Sequence, residues 1–251
     1  MKVYAATRCG FEKNVNEDRV LIGKTILALG EYVGLLPSGI VAIADGVGGN
    51  QAGSVASQYI CNRLAMESVV DGSTFKRFNE ELIAFGKTKE EWEGLATTLS
   101  GILVTQNMAN IFHVGNTRIY KLQGGQYLRQ LTSDDTTVNY LVKTGKLSEE
   151  DAENYSARNE ITACFGGSDT KLLQPCFFKD KLEGTVVYLM TSDGIHETLC
   201  LDDMEEVIDE KVSHLEICQR LINSAIERGS KDDCTAVIVV CEEETNGMEV
   251  S

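Results

Sequence analysis

Two apolar runs of strand length, Ile40 to Ala44 and Val186 to Met190, lead into aspartates: Asp45 at once, Asp193 after Thr191 and Ser192. Short β-branched and aliphatic runs of this kind read as strands of a buried sheet, so each aspartate stands at the rim of that sheet. Two further acidic motifs, Asn16-Glu17-Asp18 and Lys231-Asp232-Asp233, lie near opposite ends of the 251-residue chain. Carboxylates brought together from such places repel one another, and either protons or cations must sit between them. Hard divalent cations with oxygen ligands, Mg²⁺ or Mn²⁺, suit the set. For the motifs to meet, the first and last must belong to one folding unit, which predicts a single domain.

The remaining sequence falls into blocks. Up to about Leu29 it predicts two strands joined by a turn from Gly10 to Asp18, and Gly39 to Ala44 is a third strand. Ala52 to Glu67 carries Val55, Tyr59, Ile60 and Leu64 at helical spacing, and Phe75 to Phe85 repeats the pattern. Strands follow at Leu99–Val104, Ile111–Val114, Arg118–Leu122 and about Tyr127–Leu131, with Gly115-Asn116 and Gly124-Gly125 as hairpin turns. The polar segment 132–170, with helices near Val138 to Thr144 and after Ser148, predicts a lid beside a site. A strand at Val186 to Met190, helices at Leu201 to Ile208 and His214 to Arg228, and a strand at Thr235 to Cys241 complete the domain, 1–241; residues 242–251 form an acidic tail. Strands in blocks and helices in pairs favour an α/β (α+β) fold of antiparallel sheets with helices packed outside.

Charge narrows the function classes. With 23 Lys and Arg against 38 Asp and Glu, the net charge of −15 argues against nucleic-acid binding, which needs a basic patch, and against docking on anionic lipid. No run of eighteen apolar residues and no signal peptide is found, which predicts a cytoplasmic protein. Eight cysteines without C-x-x-C spacing read as buried thiols, and with only His113, His196 and His214 a Cys/His or Ser/His catalytic pair is poorly supported.

The order of motifs along the chain is more telling than any one of them. Asn16-Glu17-Asp18, Asp45-Gly46-Val47-Gly48-Gly49, Thr97-Thr98, Val114-Gly115-Asn116-Thr117-Arg118-Ile119-Tyr120, Ser192-Asp193-Gly194 and Asp232-Asp233-Cys234-Thr235 together resemble the metal-dependent serine/threonine phosphatases of type 2C, the PPM family, in its short bacterial form. The resemblance implies a four-layer α-β-β-α sandwich and hydrolysis of phosphoserine or phosphothreonine on proteins by a water activated between two Mn²⁺ or Mg²⁺ ions. It also implies the roles. Asp45 bridges the two metals; the Gly46 carbonyl and Glu17 join the second; Asp193 and Asp232 hold the first; Asp18 lies at the metals or just behind them. Implied partners are phosphorylated proteins and a cognate Ser/Thr kinase or its targets, and the expected state is a monomer.

Several positions depart from the family pattern. Lys13 stands where an arginine grips the substrate phosphate; an ammonium is a point charge without the bidentate fork, so phosphate binding is expected to be looser. Asn116 replaces an aspartate associated with a third metal, and a neutral amide is a poorer ligand for a hard dication, so the third site is expected to be weak or empty. Val47 replaces a histidine proposed as general acid and cannot donate a proton. Asp233 takes the place of an asparagine and reads as a solvated carboxylate, and Arg158, beside Asn159, as a salt-bridged surface arginine. These changes motivate an alternative, a catalytically weak or silent relative that binds metal or phosphoprotein. A further alternative is a different two-metal hydrolase, a nuclease or a small-molecule phosphatase, of which the nuclease is disfavoured by the charge.

Overall fold

The computed structural model describes residues 1–11, 13–47, 52–152, 154–167, 172–208 and 211–242. The expected glycine turn at 48–49 and all but the first residue of the expected tail lie outside them. In chain order the first half gives β1 (Lys2–Arg8), β2 (Arg19–Ile22), β3 (Thr25–Leu27), β4 (Gly30–Leu35), β5 (Gly39–Ala44), β6 (Gly46–Val47), α1 (Ala52–Leu64), α2 (Gly72–Gly86), β7 (Ala96–Thr97), β8 (Leu99–Val104) and β9 (Met108–Val114). The second gives β10 (Arg118–Gln123), β11 (Tyr127–Gln130), α3 (Thr137–Lys143), α4 (Glu149–Ala152), β12 (Phe165–Gly166), β13 (Cys176–Lys181), β14 (Val186–Thr191), α5 (Asp193–His196), α6 (Leu201–Val207), α7 (His214–Glu227) and β15 (Cys234–Cys241).

Two six-stranded antiparallel sheets face each other, ordered β11-β10-β14-β15-β1-β4 and β13-β9-β8-β5-β2-β3, with a small sheet β12-β7-β6 beside them. Strand alternation explains why the central strands read as unbroken apolar runs. In β15, Val237, Val239 and Cys241 enter the core between the sheets, while Ala236, Ile238 and Val240 pack on the outer side with Ile217, Leu221 and Ala225 of α7. In β5, Val41 and Ile43 point inward and Ile40, Ala42 and Ala44 meet α1 and α2 through Ile60, Phe75 and Phe78. Both faces of each central strand are therefore dry, and the layers run α-β-β-α. Side-chain caps define the helix starts: Asp71 accepts from Thr74 N at 2.9 Å for α2, and Ser213 from Glu216 N at 3.2 Å for α7.

Register explains how distant motifs meet. Arg8 at the end of β1 pairs with Cys234 at the start of β15, Thr191 at the end of β14 pairs with Ala236, and Arg19 at the start of β2 pairs with Ala44 at the end of β5. All four acidic motifs thus leave their strands at one rim of the two sheets.

Some local expectations need correction. Gly115-Asn116 is not a hairpin: β9 belongs to one sheet and β10 to the other, so this turn carries the chain across the sandwich. Likewise β1 and β2 lie in different sheets. A glycine at φ +105° marks a sharp reversal in either case, and nothing local says which sheet receives the next strand. The strands β3, β4 and β13 were not expected; β4 and β13 are edge strands with largely exposed residues, and half-wet edges lack the apolar signal.

Candidate metal centre

The turn between β1 and β2 is fastened to the far end of the chain by Asp233. One carboxylate oxygen accepts from Gly10 N at 2.8 Å, and the other accepts from Glu17 N at 2.8 Å and from Lys13 Nζ at 3.1 Å. Asp233 is 2% exposed, so the expectation of a solvated carboxylate is overturned: it is a buried clamp whose oxygens are consumed by donors. Asp232 beside it projects outward, its side chain 51% exposed, and is the member of the pair still open to a cation.

Around this clamp the rim is built from side-chain to backbone bonds. Asp45 follows β5, and its backbone is held by both threonines of Thr97-Thr98: Thr98 Oγ1 accepts from Asp45 N at 3.1 Å, and Thr97 Oγ1 donates to Asp45 O at 2.9 Å. Gly46 and Gly53 of α1 approach so closely that a Cβ on either would overlap the other's backbone, and a Cβ on Gly53 would also strike Glu17 Oε1. Ser57 Oγ donates to Glu17 O at 2.6 Å, which ties the same turn to α1. Behind it Asp18 is fully buried and accepts from Thr235 Oγ1 at 2.6 Å, while Asn16 holds the turn through Thr7 Oγ1 at 2.8 Å and the Asp18 N–H at 3.0 Å. Asp193 is the first residue of α5, not a strand residue, and its Oδ2 accepts from Asn116 Nδ2 at 3.0 Å.

The expected site residues occupy one electrostatic neighbourhood. Desolvation pushes the Asp45 carboxyl well above the usual range, and the negative charges of Asp193, Asp18 and Asp232 add to the shift. Asp193 is raised by desolvation and by Asp232, and Asp18 is pushed up to about 8, chiefly by burial. Lys13 Nζ contacts Asp232 and Asp233 and stands 3.3 Å from Glu17 Oε2.

A dication fits these residues. Glu17 Oε1, Asp18 Oδ1 and Asn116 Oδ1 are buried with no hydrogen-bond partner, and every oxygen in the set is a hard donor of the kind that Mg²⁺ and Mn²⁺ take. The side chains do not stand as a ready-made cage: among the described residues no group of three carboxylates, imidazoles or thiols is set to hold a metal ion. Asp232 instead contacts the Lys13 ammonium.

Beside the centre opens a cleft of about 560 Å³, walled by Asn116, Arg118, His196 and Glu197 on one side and by Asn139 and Arg158 of the 132–170 segment on the other. Arg118 is held by bidentate bonds to Asp134 (Nε to Oδ2 2.9 Å, Nη2 to Oδ2 2.6 Å, Nε to Oδ1 3.0 Å). His196 is buried, bonded through Nδ1 to Thr191 Oγ1 at 2.8 Å, and desolvation holds it well below its ordinary pKa, so it is a neutral wall of the cleft. Glu197 is pushed up to about 7 by desolvation and by Asp193, and accepts from Asn159 Nδ2 at 2.5 Å. Arg158 carries no ion pair among the described residues, which corrects the salt-bridged reading; it is an exposed guanidinium facing the cleft. Of the cysteines, all free, Cys61, Cys218, Cys234 and Cys241 are buried as expected, but Cys176 and Cys200 are exposed. No described helix is long and apolar enough to cross a membrane.

A family model described as Protein phosphatase 2C matches residues 36–232. The chain belongs to the protein phosphatase 2C family. It is 28% identical to protein phosphatase PhpP of Streptococcus pneumoniae over 97% of this chain and 99% of that one. Among solved structures, the Mycobacterium tuberculosis serine/threonine phosphatase PstP/Ppp superposes with a TM-score of 0.79 at 28% identity, covering 95% of this chain and 98% of that one. A PstP catalytic domain in complex with two manganese ions gives 0.76 at 28% identity, covering 96% and 100%. These family members share the layered fold described above.

Sequence reasoning missed the members of the site that bind nothing directly. Ser57 was not singled out at all, and Asp233 and Thr235, though part of a motif, carried no sign that they act by holding backbone or carboxylates, since a polar residue gives no hint of its partner in space.

Proposed function

We propose that this protein hydrolyses phosphoserine and phosphothreonine side chains on other proteins, in the cytoplasm, as one catalytic domain whose 132–170 segment lies over the substrate cleft. The observation that carries this reading is the arrival of four distant acidic motifs at one rim with three buried oxygens left unpartnered. Glu17, Asp45, the Gly46 carbonyl, Asp193 and Asp232 would hold two Mn²⁺ or Mg²⁺ ions, with Asp18 behind them. When bound, the ions supply a water of lowered pKa and positive charge opposite the phosphoryl oxygens.

The chain's own residues set the stage for that chemistry. Thr97 and Thr98 fix the backbone of Asp45, and Asp233 fixes Glu17, so both carboxylates are pre-positioned. Asn116 donates its amide to Asp193; an aspartate there would place a second carboxylate against it. This supports two firm ions and a weak or empty third site. Lys13 offers a single positive charge for the substrate phosphate. Val47, in β6 and paired with Ala96, has no proton to give the leaving alkoxide. Substrates are phosphorylated proteins, among them the targets of a cognate kinase, and the working unit is a monomer.

The test is release of phosphate from a phosphoserine or phosphothreonine peptide with Mn²⁺, with and without chelator. Chelator-sensitive release supports the enzyme; Mn²⁺ binding without release favours the silent relative, a reading motivated by the contacts that Lys13 makes with Asp232 and Glu17.

A further inference from the structure

Three carboxylates converge on one ammonium. Lys13 Nζ contacts Asp232 Oδ1 and lies 3.1 Å from Asp233 Oδ2 and 3.3 Å from Glu17 Oε2. The three partners are held differently. Asp233 is buried and pinned by two backbone N–H groups, and Glu17 is pinned through its own backbone to Asp233 and Ser57. Asp232 is the exposed one; apart from Lys13, its Oδ1 accepts among the described residues only from the adjacent Asp233 N at 2.8 Å. The tether is therefore Asp233, and the movable contact is Asp232.

Resting on the metal-centre reading, we propose that Lys13 is a built-in counter-ion that occupies part of the first dication's place and competes with it for Asp232. Without metal, the ammonium offsets repulsion among Glu17, Asp232 and Asp233 and keeps the 10–18 turn docked against β15. With a dication at Asp232, charge repulsion would free the Lys13 ammonium from that carboxylate, and its flexible stem would let it turn about Asp233 toward the cleft. There a phosphate dianion holds it. Loading of the first metal and binding of phosphate are then coupled, each tightening the other by the same factor.

The experiment is Mn²⁺ titration calorimetry, with thermal melts in chelator and in saturating Mn²⁺, on the full chain and on Lys13→Met, Lys13→Gln and Lys13→Arg. Two uncharged variants are used so that a folding defect in one does not stand in for the result. Both are expected to bind the tighter Mn²⁺ ion roughly fivefold more strongly, the order of one exposed charge pair, and to melt lower than wild type in chelator, with the gap closing in Mn²⁺. Lys13→Arg should restore most of both properties. Inorganic phosphate should tighten Mn²⁺ binding in wild type and less so in the uncharged variants. Unchanged or weaker Mn²⁺ binding in both uncharged variants, with wild type still taking up two ions, overturns the counter-ion role alone. Wild type that takes up no Mn²⁺ overturns the metal-centre reading together with it.

Discussion

Removal of the Asp233 carboxylate should destabilise this protein more than removal of any exposed acidic residue at the same rim. In Asp233→Ala the Gly10 and Glu17 N–H groups, both bonded at 2.8 Å in the native protein, lose their acceptor inside a buried turn. A buried donor left unpaired costs about 1–3 kcal/mol, so the pair costs roughly 4 kcal/mol. Lys13 adds little, below about 1 kcal/mol, because its ammonium is partly exposed and keeps Asp232 and Glu17. For a chain of this size that corresponds to a fall in melting temperature of about 8–16 °C. Asp233→Asn should lie between the two, since one oxygen remains and its amide can turn toward only one of the donors. Urea unfolding in chelator isolates this effect from metal loss, and an unchanged m-value confirms that the midpoint shift is a stability change. If Asp233→Ala unfolds within about 1 kcal/mol of wild type, the clamp is not holding the turn, because water is reaching those N–H groups.

Three further outcomes follow from the same geometry. Asp18, Asp45 and Asp193 all have carboxyls raised above the ordinary value, so in chelator their contribution to folding is fully present below about pH 4 and is lost as pH rises through their raised values, about 8 for Asp18; stability should fall as pH rises, and a melting temperature that climbs from pH 5 to 8 would contradict it. Asp193→Asn should cut Mn²⁺-dependent phosphate release by roughly a hundredfold or more while leaving the urea midpoint in chelator at or above the wild-type value, and near-normal turnover would mean that the ion is held elsewhere. In Gly53→Ala the added methyl meets both Glu17 Oε1 and the Gly46 backbone, so the variant should lose about 1–3 kcal/mol and bind Mn²⁺ more weakly; calorimetry showing wild-type affinity would mean that the turn relaxes freely.

Central elements were legible because each carried a period that burial enforces. Leu99–Val104 is β8 to the residue, and the final run of β15 starts within one residue of its expected place, because a strand dry on both faces must be apolar throughout. The edges were not legible: β13 alternates between exposed and half-buried positions, and no one-sided apolar pattern marks it. At the site, Asp45 and Asp193 stood out because acidic residues at the ends of apolar strands are costly without a partner, whereas the choice of Asp232 over Asp233 rested on the family resemblance. Asp233 was misjudged because its neighbours in space, Gly10 and Glu17, lie more than two hundred residues away in the chain.

By itself the chain determined its central strands, its helix pairs and the rim positions of its acidic motifs, since hydrophobic period and turn chemistry act over a few residues. Tertiary structure alone decided that Gly115-Asn116 crosses between sheets, that Asp233 is buried while Asp232 is open, and that Lys13 rests among carboxylates. Those outcomes depend on sheet register, which brings β1, β2, β5, β14 and β15 to one rim, and on competition for a limited number of donors there.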